Sequence, residues 1–339
     1  MIVIPVRLDP EDDEVHVDQQ LGMPMSSEIC SGSEADIGLS LADGTTWSFA
    51  AADQKAAAIV SDLRQAMQLR VLCRSDRRLI LRVDSHDGKS LGYCRLPNML
   101  SDSPQSYLSH ACDKAPLTAL CFALRQAHKG VMSCILSPVT STDLLALQLM
   151  QLSLVIGADA QPRGGFLLHG ALAEKNGYGV ILAGPGGGGK TTASRRLPYP
   201  WRSLCDDATL IIRDEQREYW AHPWPTWSAF LTGGSGGSWD VQYAVPLTGI
   251  FFLNQANIDR VESLGTGEAI GLLNESAEQA SLAMSHGLGK DELRVLRTER
   301  FNNVCALAEG VPVYRLKLSL NGCFWHEVER AIVCCGKNK

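Results

Sequence analysis

No two cysteines stand in C-x-x-C spacing and no His/Cys pattern has zinc-ligand spacing, so the 11 cysteines exclude a structural zinc module and, being odd in number, a closed disulfide framework. They read as reduced thiols of a cytoplasmic chain, and the adjacent Cys334 and Cys335 as two inert ones, because a prenylation box needs its Cys fourth from the end. Positive charge is not in excess either. Thirty-one Lys and Arg against 37 Asp and Glu give a formal charge of -6, with no field to draw in nucleic acid or anionic lipid. The beginning, MIVIPVRLDPEDDEVHVD, turns acidic at once and lacks a signal peptide. The most apolar run, Leu144 to Ala158, is shorter than the roughly 20 residues of a bilayer span and carries Gln148 and Gln151, so it predicts a buried helix. No internal repeat or long low-complexity tract occurs.

What is present is an ordinary globular composition, 45% hydrophobic and 20% charged, over 339 residues. That length suits two domains at roughly 100 to 200 residues each. Ile156 to Gly165, IGADAQPRGG, is the clearest seam, and the boundary is set at 1–157 and 158–339. Before it, Ala51 to Leu69 has helical periodicity, and RVLCR, RLILRVDS and LGYCRLP alternate like half-buried strands, with a turn at Asp87-Gly88. Helices are expected near Ser106 to Ala127 and Thr142 to Val155, completing a smaller α+β domain. After the seam, GFLLHGALAE reads as a strand, Lys175 to Gly177 as a turn, and YGVILAG as a strand buried on both faces. A glycine loop, a helix KTTASRRL stopped by Pro198 and Pro200, and a strand RSLCDDATLIIR follow. Farther on come the strand PLTGIFFLN, the helix GEAIGLLNESAEQASLAM, the strand VPVYRLKLSL and a last helix, Cys323 to Ile332.

The glycine loop satisfies two patterns. Gly184 to Thr191 matches G-x-x-x-x-G-K-[ST], while Gly184, Gly186 and Gly189 also match G-x-G-x-x-G. In the first, small residues turn backbone N–H groups toward phosphates, Lys190 neutralises their oxygens and the Thr191 hydroxyl joins a Mg²⁺ shell. The nucleotide-binding set is then Gly184, Gly186, Gly187, Gly188, Gly189, Lys190, Thr191 and Thr192, with the Thr192 side chain turned to the helix. In the second, Asp206 or Asp207 would hold a ribose. Lys190-Thr191 after the glycines, and a strand that runs on past the acids, favour the phosphate loop. Neighbours on a strand face opposite sides, so Asp206 and Asp207 can both serve the loop only where that strand ends or bends. His169, in LLHG, precedes the loop on the neighbouring strand. His222, Trp224, Trp227 and Trp239 flank the Gly233 to Ser238 loop, which suits either a lid gripping a peptide or tryptophans packed in the core. Arg297 and Arg300 are candidate phosphate clamps, with surface arginines as the plainer alternative.

HGALAEKNGYGVILAGPGGGGKTT followed by LCDDATL resembles the HPr kinase/phosphorylase family of P-loop serine kinases, over about Gly165 to Ile212. It looks more like that family's divergent members, encoded with ribosomally made, modified peptides as in lasso-peptide and SynChlorMet (ScmC-like) cassettes. The resemblance implies an HPr kinase/PEP carboxykinase-like α/β catalytic domain with ATP and Mg²⁺ as cofactors. It makes Lys190 the phosphate-binding lysine, Thr191 and Asp207 the metal-side residues, Asp206 the general base, and brings His169 to the transferred phosphate. Thr192 replaces the family's glutamate and no counterpart of EIRGLGI occurs, so phosphorylase activity is not implied. The expected activity is phosphoryl transfer to serine on a peptide or small protein, with the N-terminal domain as acceptor-binding module and homo-oligomerisation open. A non-catalytic ATP- or GTP-binding regulatory module and a dinucleotide oxidoreductase stand as alternatives.

Overall fold

The computed structural model describes residues 36–83, 122–128, 130–136, 138, 142–226, 237–282 and 290–336. Their architecture is mixed α/β, built on two sheets. The first has strand order β3-β1-β2-β4-β6-β5, from β1 (Asp36–Ser40), β2 (Thr46–Ala51), β3 (Arg70–Leu72), β4 (Arg77–Val83), β5 (Phe122–His128) and β6 (Val131–Leu136). Helix α1 (Gln54–Met67) lies between β2 and β3 in the chain; Asp53 caps it by accepting from the Ala56 N–H at 2.8 Å, and its Ile59, Leu63 and Met67 stripe joins Leu39, Trp47, Leu79 and Leu81 in the core. Helix α2 (Thr142–Ala160) carries the chain to the second sheet and runs three residues beyond position 157.

The second sheet orders β11-β10-β7-β8-β12-β14-β13, with β9 also on β7. Its strands are β7 (Phe166–Lys175), β8 (Tyr178–Ala183), β9 (Arg202–Cys205), β10 (Ala208–Arg213), β11 (Tyr219–Trp224), β12 (Val245–Gln255), β13 (Arg260–Ser263) and β14 (Val313–Leu318). The β7–β8 hairpin closes through Asn176 and Gly177, both at positive φ (53° and 83°), the two-residue turn that suits the strands' twist. β8 is buried on both faces, as its unbroken apolar run requires: Ile181 and Ala183 belong to one core, Val180 and Leu182 to the other. Helix α3 (Lys190–Arg196) covers the second face through Ala193, with α6 (Trp325–Gly336) through Val328. Helices α4 (Thr266–Ala280) and α5 (Lys290–Gly310) cover the first through Leu273, Ala277, Leu296 and Leu307.

Several expectations are corrected here. The helix expected to end at Ala127 does not: residues 122–127 belong to β5, which pairs antiparallel with β6 beyond a turn holding Gly130 at φ +79°. Pairing with a neighbouring strand overrides helical propensity there. Residues 106–121, the strand LGYCRLP, the Asp87-Gly88 turn, Trp227, most of the Gly233–Ser238 loop and the side chains of Cys334 and Cys335 lie outside the described residues. Of the two readings offered for His222, Trp224 and Trp239, core packing is the one that holds: they are 0%, 1% and 7% exposed.

The seam between the sheets is stitched by residues 237–243. The Trp239 N–H bonds the Ala66 carbonyl at 2.7 Å, Arg70 pairs with Asp240 at 2.5 Å, and the Ser40 N–H reaches Gln242 Oε1 at 3.3 Å. Buried His222 accepts the Ala42 N–H at Nε2 (3.1 Å), leaving Nδ1 as the donor to the Val241 carbonyl at 2.7 Å.

Candidate active site around the glycine loop

Two strand registers bring the site together. Gly170 of β7 pairs with Ala183, the last residue of β8 before the loop, and His169 pairs with Ala208, the first residue of β10 after the aspartates. β9 and β10 run along one edge of β7, interrupted at Asp206-Asp207 by a bend. Both are antiparallel to β7, hence parallel to β8, so the loop and the acid pair sit at like ends of parallel strands with His169 between them. In an unbroken ladder Asp207 would face Gly170 while His169 pointed to the other side; the bend brings the two together. Thr209 supports it by donating its hydroxyl to the Gly170 carbonyl at 3.0 Å.

Gly170 has a steric reason to be glycine, since a Cβ there would meet Ile181 Cγ2 at 2.5 Å. In the loop the reason is conformational: Gly187 and Gly189 hold φ of 76° and 92°, and a Cβ on either would touch nothing within 4 Å. The loop is therefore open outward, as backbone capture of an anion requires. Lys190 is buried, and its ammonium donates to the Gly184 carbonyl at 2.9 Å and the Pro185 carbonyl at 3.2 Å. Thr191 is half-buried, whereas Thr192 is exposed and not turned to the helix as expected; Ala193 and Ser194 face the core instead.

Asp207 is the meeting point. Its Oδ1 lies 4.0 Å from Lys190 Nζ and 3.4 Å from His169 Nε2. The His169 contact is off line for a hydrogen bond, so this buried ring nitrogen has no hydrogen-bond partner among the described residues. Burial lowers the His169 pKa; the Asp207 charge opposes that and the Lys190 charge adds to it. Burial likewise lowers the Lys190 pKa, against the pull of Asp207 and then Asp206. Asp206 turns to Thr226, whose hydroxyl donates to its Oδ1 at 3.4 Å. Among the described residues no group of three or more His, Cys, Asp or Glu is placed to cage a metal. Thr191 and the aspartates offer oxygen donors of the kind Mg²⁺ takes, which binds through one or two carboxylates and fills its shell with water and phosphate.

Sequence reasoning missed Thr226, Thr209 and Ser276. The Ser276 hydroxyl, in the middle of α4, donates to the His169 carbonyl at 3.0 Å and carries no local signal. Arg297 and Arg300 are not gathered with the loop. Their helix covers the face opposite α3, and both pair with Glu278, at 3.7 and 3.5 Å.

Fold and site together define a mixed α/β protein in which a glycine loop with a buried lysine is joined to a histidine and an aspartate pair. The chain belongs to the ScmC family: the model of the SynChlorMet cassette protein ScmC matches residues 132–333, more than half of its length and the whole second sheet. No curated protein matches the chain. Among the described residues no helix is long and apolar enough to cross a membrane.

Proposed function

We propose that this protein is an ATP- and Mg²⁺-dependent kinase of the HPr kinase-like type, transferring the γ-phosphoryl group to a serine hydroxyl of a ribosomally made peptide or small protein in the cytoplasm. The observation that carries the reading is the meeting of Lys190 and His169 on one oxygen of Asp207, beside an open glycine loop. A plain nucleotide-binding module needs the loop and the lysine; it has no use for a half-buried imidazole set against Asp207 and a second carboxylate at the same place. The antiparallel neighbour β7 beside the loop strand also speaks against a dinucleotide fold, whose strands there are parallel.

Loop N–H groups and Lys190 hold the phosphates, the lysine exchanging loop carbonyls for phosphate oxygens. Mg²⁺, when bound, would spread phosphate charge, with Thr191 and Asp207 as the chain's ligands. Asp206 takes the proton of the acceptor hydroxyl as its oxygen bonds to phosphorus, and ADP leaves with the electrons of the broken P–O bond. His169, held neutral by burial at ordinary pH, hydrogen-bonds the group in transit. The region before the second sheet is then the acceptor-binding module.

The test is transfer from γ-labelled ATP to candidate precursor peptides. Label on serine is expected with the wild type, falling about 10²- to 10⁴-fold in Asp206→Asn while ATP still binds. Label released only as free phosphate, at a rate Asp206→Asn does not change, would overturn the kinase in favour of a regulatory nucleotide switch.

A further inference from the structure

A cleft of about 800 Å³ opens between α4 and α5, lined by Glu278 from the first and by Lys290, Arg294, Arg297, Arg300 and Phe301 from the second. It stands apart from the glycine loop. Ser276 marks the side of α4 that touches the sheet, and Asn274 and Glu278, two residues to either side, project about 160° away on the helical wheel. Among the described lining residues the charge is lopsided: four cations meet one carboxylate, and that carboxylate already serves both Arg297 and Arg300. No ion pair engages Lys290 or Arg294 among the described residues.

Arg300 makes the imbalance costly. Its side chain is only 5% exposed, its Nη1 makes a long 3.4 Å bond to Ser281 Oγ, and its Nε has no hydrogen-bond partner among the described residues. Burial lowers its pKa, Glu278 opposing and the Arg297 charge adding to the burden. A buried guanidinium left short of acceptors is destabilising unless an anion completes its shell.

We propose that this cleft is a binding site for a phosphate dianion, free or as the head group of a monoester. A guanidinium fork matches the geometry of phosphate oxygens, and a dianion offsets most of the three net positive charges where one carboxylate would leave two. The cleft is wider than the ion itself, and half-buried Leu293 with Phe301, 46% exposed, offers an apolar wall to the body of an ester. The inference stands independently of the kinase reading, because it uses none of the loop residues.

Calorimetric titration of the full chain tests it, with inorganic phosphate and phenyl phosphate as probes. In Lys190→Ala, which disables the loop, a phosphate site is expected to persist. Adding Arg294→Gln and Arg297→Gln, both exposed and so tolerated by the fold, is expected to weaken it about tenfold or more. Loss of all phosphate binding in Lys190→Ala, or an affinity untouched by the two arginine changes, overturns the assignment. Tighter binding of phenyl phosphate identifies a monoester site; equal binding identifies a site for the free ion.

Discussion

Lowering the pH from 7 to 5 should weaken the joint between the two sheets through one side chain, His222. It is fully buried, and its two bonds dictate its protonation state: an amide N–H can only donate, so Nε2 must be bare to accept from Ala42, and Nδ1 carries the proton given to Val241. Burial lowers its pKa from 6.5 to about 4, with the Val241 bond and Asp43 opposing. Between those values the unfolded chain binds a proton that the folded chain refuses. Stability is therefore fully present above about pH 6.5 and falls as pH drops toward about 4. At ~1.4 kcal/mol per pKa unit the whole loss is about 3 kcal/mol, of which about 2 kcal/mol is already lost at pH 5. His222→Gln is the control, since an amide can accept from Ala42 and donate to Val241 without titrating. Urea unfolding of both proteins at pH 7 and pH 5 cancels every other titrating group in the difference of differences. Wild type should lose about 2 kcal/mol more than His222→Gln over that interval. Equal losses would refute the neutral, buried imidazole.

The electrostatics around Asp207 can be read from one resonance. Asp207→Asn removes the charge that holds the His169 pKa up and should move its NMR titration to lower pH, while Lys190→Ala removes a charge that holds it down and should move it higher; shifts in the same direction would contradict the geometry. Gly170→Ala forces a methyl to within 2.5 Å of Ile181 Cγ2 in a sheet buried on both faces, and should cost about 1–3 kcal/mol in urea unfolding. A loss below about 0.5 kcal/mol would mean that β7 and β8 are not so tightly registered.

Elements whose apolar pattern is locally decisive were legible in the sequence. β8 shows itself by an unbroken apolar run, α1 by its period, and the β7–β8 turn by the break at Lys175 to Gly177. The 21-residue helix α5 was not, because seven of its first eleven residues are charged and only a few residues such as Leu296, Val304 and Leu307 reach the core. β5 and β6 were missed for another reason: their strand character comes from the sheet, β6 lying between β4 and β5 and β5 pairing with β6, and nothing in FALRQAH alone favours a strand over a helix. At the candidate site the residue types were readable but the bend was not. RSLCDDATLIIR looks like one strand, and the interruption at Asp206-Asp207 emerges only against β7.

That register is what turns a set of motifs into a site. The tight Asn176-Gly177 hairpin fixes which β7 residue lies beside the end of β8, and Gly170 is the only residue type that could sit against Ile181 there. With Gly170 fixed opposite Ala183, His169 must lie one residue beyond the strand that feeds the glycine loop, on the face that Ala171, Ala173 and α3 share. With His169 fixed opposite Ala208, the aspartates must fall just before it in the chain, where the bend lets one reach Lys190. Slipping β7 by a single residue would turn His169 to the α4 face and part it from Asp207 while leaving every motif in the sequence intact. The histidine-glycine pair therefore works as a register mark as much as a chemical group, and the hairpin turn is as much a part of the site as the loop.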